Sequence, residues 1–392
     1  MIDSLQVRSP SLFSRISLRR IVTSNRFIPE IDGFRFLAIV IVIFSHIYAQ
    51  CGPIPGNGRI SRILEQCAGS GQRGVYLFFT ISGFILALPF ARHHLQQGSA
   101  VNLRSYFRRR ITRLEPPYML AMVLRFPLLF LYKQFAIVSL SLHLLASLFY
   151  LHNLIFNHSS ILIPPAWSLE VEVQFYLLAP LLTGIFWVRN KQLRRVILIA
   201  CIFASAVVAM KLIPPDGRLA WSLSSFLQYF FAGFLLCDLY LTSDHFSVPS
   251  WLWDILGIFS IAWILLTQAA WYPVLIPFAT IVLYMAGFYG RIVRAFFSFT
   301  PIPLIGGMCY SLYLTHSAVL SAMHPIATRI THNSFPASIQ ASLIFGLCFT
   351  AVLIVGLIYF VLIERPCMDP TWPNKLAAHW RNAAMSYTRS EG

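Results

Sequence analysis

The sequence predicts an all-α protein, a polytopic transmembrane helical bundle of about ten spanning helices plus one re-entrant or interfacial helix. Three observations point there. Of 392 residues, 57% are hydrophobic and only 11% charged, against about 25% charged in a soluble globule. Eleven apolar runs approach the ~20 residues needed to cross a bilayer. The arginines gather in short segments between runs, as orientation by positive charge requires. Lys+Arg 30 against Asp+Glu 14 gives a net charge of +16. That excess is explained by orientation and anionic lipid. Neither a Gly-rich phosphate loop nor an aromatic-interleaved basic repeat supports a nucleic-acid partner.

Residues 1–30 carry Arg8, Arg15, Arg19, Arg20 and Arg26 but no apolar core and no small-residue cleavage site. They read as a basic cytoplasmic arm, not a cleaved signal peptide. The transmembrane domain is expected over 31–365, and 366–392, with Pro366, Pro370 and Pro373, as a short cytoplasmic tail. The apolar runs are roughly 33–50, 74–91, 116–133, 137–156, 168–188, 195–213, 221–241, 251–268, 271–290, 302–322 and 338–363. Arg104, Arg108, Arg109, Arg110 and Arg113 should lie inside, as should Arg189, Lys191, Arg194 and Arg195. If every run crossed, the cluster at 189–195 would fall outside. Removing the run 137–156, which holds His143, His152 and Asn153, restores agreement, so that run is expected to be the re-entrant or interfacial one. Both termini then face the cytoplasm. Cys51 and Cys67 both fall in the first external loop, which leaves room for a disulfide.

The first run, IDGFRFLAIVIVIFSHIYA, holds two residues that are costly in a bilayer, Arg35 and His46. Their eleven-residue separation is about 1100°, roughly 20° beyond three turns, so they share one face, about 16 Å apart along the axis. By themselves they read equally as a snorkelling arginine with a packed histidine, or as a functional stripe. Ser82-Gly83 interrupts the second run, and the plain reading is a notch for close helix approach. Arg108, Arg110 and Arg113 precede Pro116-Pro117. In helical register Arg110 and Arg113 form a fork for phosphate, with lipid anchoring as the other reading. Glu170 and Glu172 enter the fifth run about 200° apart, so one can face an interior cavity while the other serves structure. Tyr310, Tyr313 and His316 recur every three residues on one stripe. Glu364 at the last helix end reads as a partner for arginines. No HExxH or CxxC spacing appears, and no metal is expected.

Together these segments resemble the acyltransferase family 3, integral-membrane enzymes that O-acylate carbohydrates. DGFRFLAIVIVIFSH is similar to the family's arginine, ten residues, histidine signature, on Arg35 and His46. GVYLFFTISGF resembles its second-helix motif, with Ser82. RRRITRLEPPY resembles its basic segment, with Arg110, Arg113 and Pro116. WSLEVEVQFYLLAP resembles the Trp-Ser-Leu-x-x-Glu motif, on Trp167 and Glu172. GGMCYSLYLTH resembles the closing motif, with Tyr310, Tyr313 and His316. The chain departs from the family pattern at Phe36, Tyr76, Glu170, Cys309 and Thr315. The resemblance implies a cytosolic acyl-CoA donor, most often acetyl-CoA, held by Arg108, Arg110 and Arg113 with Arg35. It implies His46 as general base or acyl carrier, and Glu172 as a group that orients a histidine or the acceptor. The acceptor would be a hydroxyl of a glycan or lipid-linked sugar at the bacterial inner membrane. Without the hydrolase-like domain that some members carry, the chain is expected to act alone or with a separate periplasmic partner. The competing class is a transporter or flippase, whose usual inverted repeats are not seen in the sequence. A multi-span glycosyltransferase would need acidic loops, and these loops are basic.

Overall fold

The computed structural model describes residues 20–21, 27–52, 58–133, 136–242, 248–333, 335–369 and 371–373. The expected basic arm, apart from Arg20, and most of the expected tail lie outside these residues. Among the described residues the chain is helical throughout, without a strand.

Helix α1 (Pro29–Cys51) starts where Pro29 supplies a preset φ and Glu30 and Asp32 favour the first turn. It is followed by α2 (Arg59–Gly69), α3 (Gly71–Gln96), α4 (Leu103–Lys133), α5 (Ile137–Leu148), α6 (His152–Phe156), α7 (Trp167–Leu182) and α8 (Lys191–Lys211). Then come α9 (Leu227–Thr242), α10 (Ser250–Leu266), α11 (Tyr272–Tyr289), α12 (Ile292–Ser298), α13 (Pro301–Gly307), α14 (Cys309–Thr331) and α15 (Ala337–Tyr359), which continues through a π turn to Cys367. Among the described residues, 7 helices are long and apolar enough to cross a membrane: α1, α3, α4, α7 with its flanking turns, α8, α11 and α15 with its extension. This is fewer than the expected ten: α9 and α10 are apolar but have only 16 and 17 residues. Helix α14, at 23 residues, is about 35 Å long, but its Thr315-His316-Ser317 centre lowers its hydropathy.

The run 137–156 breaks at Phe149–Leu151, where Tyr150 takes φ 57°. Its longer piece, α5, has 12 residues, about 18 Å against a ~30 Å hydrocarbon core. Three expectations need correction. The run 302–322 is two helices, because the chain breaks at Gly307-Met308. There a Cβ on Gly306 would collide with the Asp32 carbonyl of α1. The arginine segment is not a loop but the first three turns of α4, which continues through Pro116 and Pro117. A helical proline orphans the carbonyl four residues back. The Thr112 carbonyl orphaned by Pro116 instead accepts from the Trp372 indole N–H at 3.0 Å. Finally, Cys51 does not pair with Cys67. Both are free thiols, and the Cys51 sulfur lies 3.6 Å from that of Cys348 on α15.

Helix α1 runs through the middle of the bundle, packed by α3, α13, α14 and α15. Helices α3 and α9 approach most closely at Gly83 and Gly233, where any Cβ would strike main-chain atoms of the partner. The expected notch at Ser82-Gly83 is thus real. Most of the arginine partnerships collect at one end of the bundle. Arg294 pairs with Glu30 at 2.9 Å, and Arg194 and Arg195 both pair with Asp238, at 2.5 and 2.8 Å. Arg113 faces Glu364 at 4.0 Å. The first and last spans therefore begin and end at the same end. Buried Arg73, at the opposite end, donates to the Ile264 and Thr267 carbonyls at 2.6 Å each. It caps the C-terminus of α10, the use of an arginine that the helix dipole favours.

Candidate functional site

The site has two levels along α1. At one level His46 lines a cavity of about 320 Å³ together with Ser45, Gln72, Trp167, Trp221 and Tyr313. The His46 Nδ1–H donates to the Val42 carbonyl, one turn back, at 2.8 Å. A carbonyl only accepts, so the proton sits on Nδ1 and the Nε2 lone pair is left available. His316, fully buried, packs edge-on against His46 with ring centroids 4.9 Å apart. Its Nδ1 likewise donates to α14 carbonyls, of Tyr313 at 2.7 Å and Leu312 at 3.1 Å. Its Nε2 is buried without a partner. Two imidazoles that each donate from Nδ1 thus meet at this level, and His46 is the one that lines the cavity. Tyr313 donates to the Pro165 carbonyl, so Ser168 donates to the Tyr313 oxygen, at 2.8 Å. These two bonds pin α14 to the start of α7.

The second level, nearer the start of α1, is an arginine cluster. Arg35 pairs with Asp32 at 2.5 Å, and Asp32 also receives Arg20 at 3.0 Å. Arg113 and Glu172 lie within electrostatic reach of Arg35. Arg110 lies 3.6 Å over the Tyr106 ring and donates to the Tyr106 carbonyl at 2.7 Å. The Tyr176 ring centroid lies 5.5 Å from the same guanidinium. A guanidinium packed on aromatic rings keeps its remaining N–H groups directed and costs little further ordering. Arg113 Nε is buried without a partner, an orphan donor beside the cluster. Glu364 is held by the Ser311 N–H at 3.0 Å and its hydroxyl at 2.5 Å, which is the structural role expected of it.

Not every expected residue joins these two levels. Arg108 is exposed on another face of α4 and its carbonyl accepts from Thr112 at 2.8 Å. Tyr310 donates to the Leu114 carbonyl at 2.8 Å and braces α14 on α4. Glu172 reaches neither histidine. It accepts from Ser82, bonds Tyr176 and feels Arg110, so it sits between the levels on the arginine side. The reason is helical register, since Glu172 lies about 7.5 Å along α7 from Trp167, away from the cavity. Glu170 lies on another face of α7, fully buried, and its carboxylate accepts from the Asn153 N–H at 2.9 Å, anchoring α6. Asp32, Tyr106, Tyr176 and Trp221 were missed. Only Asp32 left a sequence signal, an acid three residues before Arg35 on the same face.

Fold and site together define a polytopic helical membrane protein with a histidine-lined cavity near one end and an arginine cluster near the other. The family model described as "Acyltransferase domain" matches residues 28–361, and the chain belongs to this family, acyltransferase family 3. The chain is 27% identical over 329 residues to "O-acetyltransferase OatA" of Staphylococcus aureus (strain NCTC 8325 / PS 47), covering 76% of this chain and 51% of the relative. It is 26% identical over 379 residues to "Peptidoglycan O-acetyltransferase OatA" of Listeria monocytogenes serovar 1/2a (strain ATCC BAA-679 / EGD-e), covering 88% of this chain and 56% of the relative. The chain spans about half the length of these relatives. No solved structure matches it.

Proposed function

We propose that the chain is a membrane O-acetyltransferase that moves an acetyl group from cytosolic acetyl-CoA to a hydroxyl of a glycan. The observation that carries the reading is the pairing on α1 of an arginine cluster with a cavity-lining imidazole that has a free Nε2, about 16 Å further along. Family membership and relatives named as O-acetyltransferases support it.

In this reading Arg35, Arg110 and Arg113 hold the donor's phosphates by charge-assisted hydrogen bonds, and the thioester extends past Ser82 and Glu172 to the cavity. His46 Nε2 takes the proton of the acceptor hydroxyl as its oxygen attacks the thioester carbonyl. The tetrahedral intermediate collapses, the C–S bond breaks, and the leaving thiolate takes the proton back from the imidazolium. His316 packs His46 from behind and fixes its ring. The arginine end of the bundle is cytoplasmic, both termini lie there, and the membrane is the bacterial inner membrane. Purified protein given acetyl-CoA and a soluble oligosaccharide should release free thiol and acetylate the sugar in equal amounts. Glycan movement across vesicles without thiol release would replace this reading with transport.

A further inference from the structure

Trp221 lies on none of the sequence motifs, yet it forms one wall of the His46 cavity. It ends a short 3-10 turn, Arg218–Trp221, in the connection between α8 and α9. That connection is braced at several points. The Leu223 N–H donates to the Gln174 side-chain oxygen on α7 at 2.8 Å. Ser222 and Ser225 both donate to the Leu219 carbonyl, at 2.8 and 2.9 Å. The Asn157 side-chain amide donates to the Asp216 carbonyl at 2.7 Å, joining it to the segment beyond α6. Trp221 is therefore held in place before any acceptor arrives. Its ring meets Trp167 at 5.8 Å and 78°, and Trp167 is packed from behind by Phe226 at 5.2 Å. Two indoles at nearly a right angle make an apolar corner. Ser45, His46, Gln72 and Tyr313 supply the polar part of the lining.

We infer that Trp221 is a specificity-determining residue that selects a pyranose-ring acceptor over an acyclic alcohol, an inference that rests on the acyl-transfer reading above. The chemistry follows from the shape of each partner. A pyranose presents a flat face of C–H groups and a rim of hydroxyls. The C–H face buries apolar area against a rigid aromatic ring at low entropic cost. The rim then points at the polar wall, with one hydroxyl toward His46 Nε2. An acyclic polyol has no such face and gains little from the indole.

The test uses the full chain in detergent with acetyl-CoA as donor and two acceptor probes, a soluble β-linked oligosaccharide and glycerol. Trp221→Ala should raise the oligosaccharide KM about tenfold or more, as expected for loss of a stacked ring. It should leave the acetyl-CoA KM and the glycerol rate within about twofold. Trp221→Phe should restore most of the oligosaccharide KM. An oligosaccharide KM unchanged by Trp221→Ala overturns the inference, and so does an equal rise in the donor KM. Quenching of tryptophan fluorescence by the oligosaccharide reads the wall without turnover. Quenching that is weakened in Trp221→Phe, with no acetyl transfer by the wild type, would uphold the wall and sink the transferase reading. Absence of quenching in an active enzyme would do the reverse.

Discussion

Replacing His46 with alanine separates chemistry from folding more cleanly than any other change in this bundle. The ring already faces a cavity of about 320 Å³, so truncation enlarges an existing space and opens no new void. Its Nδ1–H is spent on the Val42 carbonyl of its own helix. That carbonyl keeps its main-chain helix bond when the ring is removed, so no buried acceptor is orphaned. The stability loss should therefore stay at the low end for large-to-small changes, about 1–2 kcal/mol. General-base catalysis contributes about 10²–10⁴-fold, which at 1.36 kcal/mol per decade is about 3–5 kcal/mol of barrier. The expected outcome is normal yield, a small fall in thermal midpoint, near-normal acetyl-CoA KM, and kcat lower by at least about a hundredfold. The assay is thiol release from acetyl-CoA together with mass spectrometry of the acetylated oligosaccharide. His316→Ala is the companion variant. It removes the packing behind His46 but not the imidazole that opens to the cavity, so its loss of kcat should be smaller. A His46→Ala protein that keeps more than about a tenth of wild-type kcat refutes the assignment. A His316→Ala protein that loses more than His46→Ala would make His316 the base.

The two arginine readings on α4 divide by face. Arg113→Ala should raise the acetyl-CoA KM about 10–100-fold, the loss of one charge-assisted hydrogen bond. Arg108→Ala should change it by less than about twofold, and equal effects would return the segment to lipid anchoring. At the same end, Arg194 is 1% exposed and its partner Asp238 0%. Arg194→Ala leaves Asp238 with Arg195 alone and should cost about 1–3 kcal/mol, as expected when a buried charged group loses one of its hydrogen-bond partners. Thermal unfolding in detergent reads this, and a fall no larger than that of the more exposed Arg195→Ala contradicts it. Outside the spans, burial and then the neighbouring His143 push the His152 imidazole down to about 4. Free histidine titrates near 6.5, so between those values the unfolded chain binds more protons than the folded one. Stability should therefore fall as pH drops from about 6.5 toward 4, by at most about 3 kcal/mol. Thermal midpoints of wild type and His152→Asn across that range check it; parallel curves would exclude His152 as the cause.

What the sequence shows and what it hides follow from the range of the interactions involved. Helix spacing is local, so the 3.6-residue period places Arg35 and His46 on one face of α1, and Tyr310, Tyr313 and His316 along α14, without any tertiary knowledge. Charge distribution is equally legible. The arginine segments mark one end of the bundle, and they single out the run 137–156, which the structure divides into α5 and α6. What stays hidden depends on partners far along the chain. Pro116 removes a helix hydrogen bond, but a tryptophan 260 residues from Thr112 accommodates the orphaned carbonyl and the helix runs on. Glu172 carries the right motif, yet its level is set by where α7 begins against α14, through Ser168 and Tyr313. Tyr106 and Tyr176 are ordinary aromatics until the fold brings the Arg110 guanidinium to both rings. Trp221 belongs to no periodic pattern, because it sits in a connection whose shape depends on Gln174 and Asn157.

The separation of the two levels itself constrains the donor. Arg35 and His46 are fixed on one helix about 16 Å apart, and that helix is packed by α2, α3 and α11 to α15, so the gap cannot close by a small motion. A compact acyl phosphate places its carbonyl carbon within a bond or two of its phosphorus. It can satisfy the arginines or reach the imidazole, but not both. A donor that uses both levels must carry its acyl group at the tip of a long arm, with its phosphates at the other end. The stretch between the levels, where Ser82, Glu172 and Tyr176 form one hydrogen-bonded group, offers polar partners to such an arm and few to a purely aliphatic one. A phosphate-bearing thioester with an amide-containing arm fits these requirements, as acetyl-CoA does. On the acyl-transfer reading, the acceptor hydroxyl need only meet the tip of the arm, at the His46 end of α1. On that reading the helix that holds Arg35 and His46 sets the length a donor must have and the end at which a glycan meets it.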